Sequence, residues 1–133
     1  MKILYAKIEK TSDGYDVFTE TEIFSGMGNT VEAAKKDMEE QISEYVRFCK
    51  EQSRKYPEYL DGGYEIRYRF EVQSLLNYYD GILSNAAIER LTGINQKQIW
   101  SYANGKTKPR AEQKKKIEHA LHALGDELKA VSL

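Results

Sequence analysis

SNAAIERLTGINQKQIWSYANGKTKPR, residues 84–110, carries the signals that determine the architecture of the second half of the chain. Ser84 can cap a helix built around Ile88, because a serine oxygen accepts a free amide proton of the first turn. Gly93-Ile94-Asn95 then supplies a turn and a new cap, so another helix is expected from residue 96 to residue 102. The stretch therefore predicts two short helices joined by a three-residue turn.

The second of these helices is expected to have one apolar and one polar side. With about 100° between successive residues, Ile99 at the centre of the core puts Lys97 and Ser101 on the far side and Gln96 and Trp100 on the flanks. Gln and Lys side chains match the donor and acceptor edges of bases in a major groove. We expect Trp100 instead to pack against the following loop or the first half of the chain, since exposed Trp is uncommon.

Positive charge is concentrated in and just after this stretch. Seven basic residues fall between positions 97 and 116, offset there by Glu112 alone: Lys97, Lys106, Lys108, Arg110, Lys114, Lys115 and Lys116. A charge run is usually a solvated face without a partner, and that alternative stays open. Beside a polar helix face, however, a loop with Lys106, Lys108 and Arg110 is suited to the phosphates of a polyanion.

The quoted stretch resembles the helix-turn-helix of phage repressor and Cro-like regulators. The resemblance rests on a small residue at Ala87, Gly93 in the turn, Ile99 in the core and NGKTKP before the next helix. It implies that the outer helix lies in the major groove of double-stranded DNA. By this resemblance the base contacts are Gln96, Lys97 and Ser101, and the phosphate contacts are Asn85, Lys106 and Lys108, with Arg110 in the same loop. Trp100 departs from the family pattern.

The first half of the chain predicts a β-β-β-α-β order. Strand-like alternation covers residues 3–10 and 15–19 around a Ser12-Asp13-Gly14 turn, and a third strand is expected at residues 22–25. A last strand from residue 64 alternates apolar and charged positions.

A long helix is predicted between the third and fourth strands. Asn29-Thr-Val-Glu32 has the form of a capping box, in which Asn29 caps the helix and Glu32 reaches back. One apolar stripe is then expected to face the sheet: Val31, Ala34, Met38, Ile42, Tyr45 and Cys49. Residues 50–63 are polar, contain Pro57 and predict a long loop.

DGYDVF (residues 13–18) and GNTVEAA (residues 28–34) are similar to the N-terminal domain of HicB antitoxins. That family combines a partial ribonuclease-H-like fold with a C-terminal DNA-binding domain. The resemblance implies that the first domain neutralises a small HicA-like ribonuclease toxin and that the second represses the protein's own operon.

The strand and helix patterns predict an α+β protein of two small domains, a β-β-β-α-β domain at residues 1–72 and an all-α helix-turn-helix domain at residues 73–133. The first holds 11 Lys and Arg against 15 Asp and Glu, a charge of −4, and the second holds 9 against 6, a charge of +3. The lone Cys49, the absence of a leader and the absence of a long apolar run favour a cytoplasmic protein without a membrane partner. Each domain is small enough to depend on its neighbour or on a second copy of the chain for stability, and a homodimer or higher homo-oligomer is expected.

Catalysis is not expected from these residues. Two-metal nuclease chemistry needs several acidic side chains converging on one pair of ions, and Glu9, Asp13 and Glu65 are not placed to converge. His119 and His122 lack further ligands at suitable spacing, so neither a metal nor another cofactor is predicted. The hypotheses kept open are a HicB-type repressor, a stand-alone helix-turn-helix regulator, and a protein-binding module without a toxin partner.

Overall fold

The protein is described by a computed structural model covering residues 1–21 and 23–133. The chain is α+β, as expected from the sequence, and divides into two compact units, Met1–Glu71 and Val72–Leu133. In the described residues, the first unit contains a four-stranded mixed sheet and one long helix, and the second contains four helices.

The first unit follows the chain order β1, β2, β3, α1, β4. The bounds are β1 Lys2–Lys10, β2 Tyr15–Thr19, β3 Ser25–Gly28, α1 Val31–Glu51 and β4 Tyr64–Phe70, with a 3-10 turn at Glu58–Leu60. The strands lie in the order β3-β2-β1-β4. β1 is antiparallel to β2 and parallel to β4. The crossover through α1 returns the chain to the end of the sheet at which β1 begins, so β4 runs beside β1 in the same direction.

The core of this unit lies between the sheet and α1. Leu4, Ala6 and Ile8 of β1 are at most 1% exposed, whereas their neighbours Tyr5 and Lys7 lie on the other face of the sheet. The predicted alternation of β1 is confirmed. β4 alternates in the same way, with half-buried apolar side chains between exposed charged ones.

The apolar stripe of α1 agrees with the prediction at five of its six positions. The buried residues are Val31, Ala34, Met38, Ile42, Val46 and Cys49. Tyr45, which we expected in this stripe, is 40% exposed, and Val46 takes its place. The prediction for Tyr45 is wrong because a step of four from Ile42 stays closer to the buried side than a step of three.

Two boundaries before α1 differ from the expectation. The third strand begins at Ser25, not at residue 22, and Glu22 lies outside the described residues. The helix cap is Thr30, whose hydroxyl accepts a hydrogen bond from the Ala33 amide at 3.0 Å, so the predicted Asn29 cap is wrong. Because Gly28 is still paired with Tyr15 in the sheet, Asn29 is needed to leave the strand and Thr30 becomes the first position free to cap.

Glycine allows β3 to touch α1. A Cβ on Gly26 would lie 2.4 Å from the Met38 amide nitrogen and 2.5 Å from the Ala34 carbonyl oxygen. Only a residue without a side chain fits at this distance, because neither neighbour is the end of a flexible group. Gly26 therefore sets the spacing between the sheet edge and the helix.

The segment after α1, predicted as a long loop, is shorter and more ordered than expected. α1 continues to Glu51, and Leu60 in the 3-10 turn is 5% exposed. Asp61 accepts a hydrogen bond from the Tyr56 hydroxyl at 2.7 Å and forms an ion pair with the Lys50 ammonium at 3.1 Å. The Tyr56 hydrogen bond and then the Lys50 ammonium lower the pKa of Asp61 below its ordinary value of 3.8.

The second unit consists of four helices around one small core. They are α2 Val72–Tyr78, α3 Asn85–Thr92, α4 Gln96–Ala103 and α5 Ala111–Lys129. The buried core residues are Leu76, Ile88, Ile94, Ile99, Tyr102 and Ile117. Each helix contributes at least one of these side chains, so the four hold together by burying apolar surface at a common centre.

α5 runs unbroken through Gly125. Its apolar stripe is buried at Ile117 and packs on the core at Leu121, but Leu128 and the following Val131 are 61% and 60% exposed. The end of the stripe thus extends beyond the core of its unit.

Within the described residues, none of the helices combines the length and apolar character needed to cross a membrane.

Candidate nucleic-acid interface

The turn between α3 and α4 is built from side-chain caps and one glycine. Ser84 accepts a hydrogen bond from the Ala87 amide at 3.0 Å, and Asn95 accepts one from the Lys97 amide at 2.8 Å. Gly93 ends α3 with φ of +78°, in the left-handed region that glycine adopts without strain. Both predicted caps are confirmed.

α4 is anchored by its apolar side, as predicted. Ile99 is fully buried and Tyr102 is 5% exposed, while Gln96 and Lys97 are exposed. Burial of Ile99 fixes the rotation of α4 about its own axis, and the polar positions are therefore presented to solvent.

A carboxylate of α3 meets the beginning of α4. Glu89 accepts a hydrogen bond from the Gln96 backbone amide at 2.6 Å. A negative charge is favourable at this place, since the first amides of a helix have no partner within the helix. We did not single out Glu89 from the sequence, although its spacing of four from Asn85 puts both residues on one face of α3.

An open concavity of about 590 Å³ lies between these two helices. It is lined by Asn85, Glu89, Asn95, Gln96, Lys97 and Trp100. The structure thus brings together three of the seven predicted contact residues: Asn85 from α3, and Gln96 and Lys97 from α4.

Ser101 is not among them. Its hydroxyl lies 2.9 Å from the Thr107 hydroxyl, and Thr107 also accepts a hydrogen bond from the Gln98 side chain at 3.1 Å. Ser101 is half-buried and oriented towards the loop after α4. It stays on the non-core side of α4, but its polar group is already engaged within the protein.

The loop after α4 presents the remaining three predicted residues. Lys106, Lys108 and Arg110 are all exposed, and none has a salt bridge with any residue that the structure describes. The loop is held at its start, where the Lys106 amide donates to the Ser101 carbonyl at 2.9 Å and Gly105 has φ of +69°. Three cations are consequently displayed on a fixed backbone beside α4.

Trp100 does not pack as expected. The side chain is 50% exposed and lines the concavity next to Gln96 and Lys97. Our expectation of burial followed the general preference of Trp, whereas here Ile99 occupies the core and the adjacent position is rotated towards solvent.

A second exposed surface lies in the first unit, at the β3 edge of the sheet. A concavity of about 480 Å³ is lined there by Ile23, Phe24, Ser25, Gly26, Met27, Asp37, Gln41 and Tyr45. Ile23 is fully exposed and Met27 is 70% exposed. The Met27 amide at this edge donates to the Asp37 carboxylate at 2.9 Å, so part of the edge is already capped by an acidic side chain.

Possible metal ligands are dispersed over the part of the chain that the structure describes. Among those residues, no group of three or more His, Cys, Asp and Glu side chains is placed to hold an ion. Cys49 is buried, as predicted for a thiol on the apolar stripe of α1.

Comparisons with known proteins assign no family to this fold and site: no family model, no curated protein and no solved structure matches the chain.

Proposed function

We propose that this protein is a sequence-specific DNA-binding repressor of the antitoxin type, with α3 and α4 acting as a helix-turn-helix. The observation that carries the proposal is the exposed polar side of α4 beside the cationic loop. Gln96 and Lys97 are solvent-accessible there, while Ile99 holds the opposite side in the core. An α-helix presented in this way fits the width of a DNA major groove.

Base and phosphate contacts divide by position. Gln96 and Lys97, in the first turn of α4, would approach base edges, and Ser101 would do so after exchanging its hydrogen bond with Thr107. Lys106, Lys108 and Arg110 would neutralise phosphates, and Asn85 at the start of α3 would donate to one. The charge of the second unit, 9 Lys and Arg against 6 Asp and Glu, supports attraction to a polyanion.

The DNA-binding form is proposed to be a homodimer. Leu128 and Val131 continue the stripe that buries Ile117, and covering them with the same residues of a second copy would remove this apolar surface from water. Two copies related by a two-fold axis would read half-sites about 34 Å apart. Sedimentation equilibrium should show self-association that Leu128→Lys weakens.

DNA binding is tested by selecting bound duplexes from a random pool and measuring their affinity as a function of salt. Six phosphate-contacting cations in a dimer predict a slope of about −5.4 in log affinity against log salt, so affinity falls on the order of 10³-fold from 50 to 200 mM. An affinity insensitive to salt, or no enriched sequence, would contradict the proposal.

Two variants separate the proposed roles. Lys108→Ala should weaken binding to all sequences and reduce the slope by about 1.8, because two of the six charges are lost. Lys97→Ala should mainly relax the preference at one position of each half-site. Equal effects of the two variants on slope and preference would refute this division.

The antitoxin part of the proposal rests on the first unit. Its charge is −4, and its β3 edge exposes apolar side chains at Ile23 and Met27. A basic ribonuclease toxin of the HicA type would complement both properties. Co-expression with the neighbouring gene product tests this point: co-purification supports an antitoxin, and its failure favours the second candidate, a stand-alone regulator.

A further inference from the structure

Trp100 is a large apolar side chain in the middle of an otherwise polar surface. It is the one tryptophan of the chain and is 50% exposed. The concavity that it lines also contains Gln96 and Lys97, one turn earlier on the same helix. The exposed part of such a side chain is apolar surface that a ligand can cover.

The other side of α4 is less available. Ser101 and Gln98 both interact with Thr107, as the hydroxyl–hydroxyl distance of 2.9 Å and the amide–hydroxyl distance of 3.1 Å show. Trp100 lies on the side of α4 that faces the concavity, together with Gln96 and Lys97. Contact of a base with Trp100 therefore does not itself require the Ser101 hydroxyl to exchange its hydrogen bond.

The chemistry of the major groove limits what Trp100 can recognise. The edges of guanine, cytosine and adenine present hydrogen-bond donors and acceptors, whereas thymine also presents a C5 methyl group. Resting on the proposed function, we infer that Trp100 is a specificity residue that contacts the C5 methyl group of a thymine, next to the bases read by Gln96 and Lys97.

Charge around the ring favours nucleic acid over a protein partner. Lys97 is exposed beside Trp100, and the cationic loop with Lys106 and Lys108 follows the same helix. Glu89 is the acidic side chain that lines the concavity, and its carboxylate already accepts a hydrogen bond from the Gln96 backbone amide. An apolar ring beside one exposed cation suits a base edge flanked by phosphates.

The experiment uses the full chain and the duplex enriched from the random pool. Each thymine is replaced in turn by deoxyuridine, which removes the C5 methyl group and keeps every hydrogen-bonding atom. One position in each half-site should lose roughly fourfold in affinity, the effect of one buried methyl group. This scan needs no protein variant, so it does not depend on how a substitution folds.

Two variants then connect that thymine to Trp100. Trp100→Ala should bind the thymine and deoxyuridine duplexes equally, whereas the matched control Lys97→Ala should bind more weakly but keep the fourfold ratio. The fluorescence of Trp100, excited at wavelengths where the ten tyrosines do not absorb, should change when the thymine duplex binds. Urea unfolding of Trp100→Ala shows whether the variant is folded.

The outcomes distinguish this inference from the proposed function. No enriched duplex from the pool overturns both. An enriched duplex with no thymine sensitive to deoxyuridine, or with the same sensitivity in Trp100→Ala, overturns the role of Trp100 and leaves DNA binding intact. A Trp100→Ala variant that changes self-association but not the thymine preference also overturns it, because the ring then belongs to a protein contact.

Discussion

The Glu89 carboxylate both holds the start of α4, through its contact with the Gln96 amide, and adds a negative charge to the proposed DNA-binding surface. Substitution of Glu89 should therefore change the stability of the second unit and its affinity for DNA. The 2.6 Å hydrogen bond joins an ionised acceptor to an otherwise unpaired amide at a helix start. Glu89→Gln keeps an acceptor but loses the charge, so the free energy of unfolding should fall by about 0.5–1 kcal/mol. Glu89→Ala loses both and should cost about 1–2 kcal/mol.

The same substitution should act on DNA with the opposite sign. Glu89 lines the concavity with Lys97. Two unit charges about 10 Å apart in water interact by about 0.4 kcal/mol, so for a phosphate at that separation removal of the Glu89 charge should raise affinity at low salt by about twofold per subunit. Glu118→Gln is the matched control, because it removes one exposed carboxylate from α5 without a helix-capping contact.

Urea unfolding and duplex binding at two salt concentrations give the two readings. If Glu89→Gln and Glu89→Ala unfold like the control, the Glu89 carboxylate does not hold the start of α4. If Glu89→Gln instead binds DNA less tightly while remaining folded, then the carboxylate itself accepts a hydrogen bond from a base, and the electrostatic reasoning is refuted.

Three further predictions concern the first unit. Gly26→Ala should destabilise by about 1–3 kcal/mol in urea unfolding, because its Cβ would overlap the backbone of α1; a neutral effect would contradict the close approach. Tyr68→Phe should be neutral or stabilising by up to about 1 kcal/mol, since the buried Tyr68 hydroxyl has no hydrogen-bond partner among the described residues. Burial raises the pKa of Tyr68 to about 12, so an alkaline absorbance titration of the folded wild-type protein should contain a late phenolate that the Phe variant lacks. Tyr56 and Lys50 lower the pKa of Asp61, so the Asp61 carboxylate stabilises the folded protein at pH values above 3.8, its pKa in the unfolded chain. This stabilisation is lost as the pH falls through the lowered pKa of the folded state. Asp61→Asn should therefore lose less stability than wild type in acid, and parallel pH profiles of the urea midpoint would disprove it.

Periodicity and capping chemistry predicted much of this fold. The stripe of α1, the alternation of β1 and the caps at Ser84 and Asn95 are local properties, and each is present in the structure. The α1 cap was missed because Asn29 and Thr30 are both good caps in sequence. What chooses between them is the pairing of Gly28 with Tyr15, a contact between strands that no local pattern contains.

The exposure of the candidate contact residues on α4 was predictable from the sequence, but their hydrogen bonds were not. Burial of Ile99 is sufficient to expose Gln96 and Lys97, since all three lie on one helix. The engagement of Ser101 by Thr107 depends on the path of the loop after α4, which sequence patterns do not determine. Trp100 was expected to be buried from the general burial preference of tryptophan, but its position on α4 next to Ile99 turns it towards solvent.

The parallel pairing of β1 with β4 has a consequence for how this chain acquires its structure. Lys2 pairs with Tyr64, about 60 residues later, whereas β1, β2 and β3 are joined by short connections. During synthesis the first three strands can associate early, but one edge of β1 has no partner strand until β4 leaves the ribosome. A nascent polypeptide stalled before residue 64 should accordingly be more prone to misassociate than one arrested after Phe70.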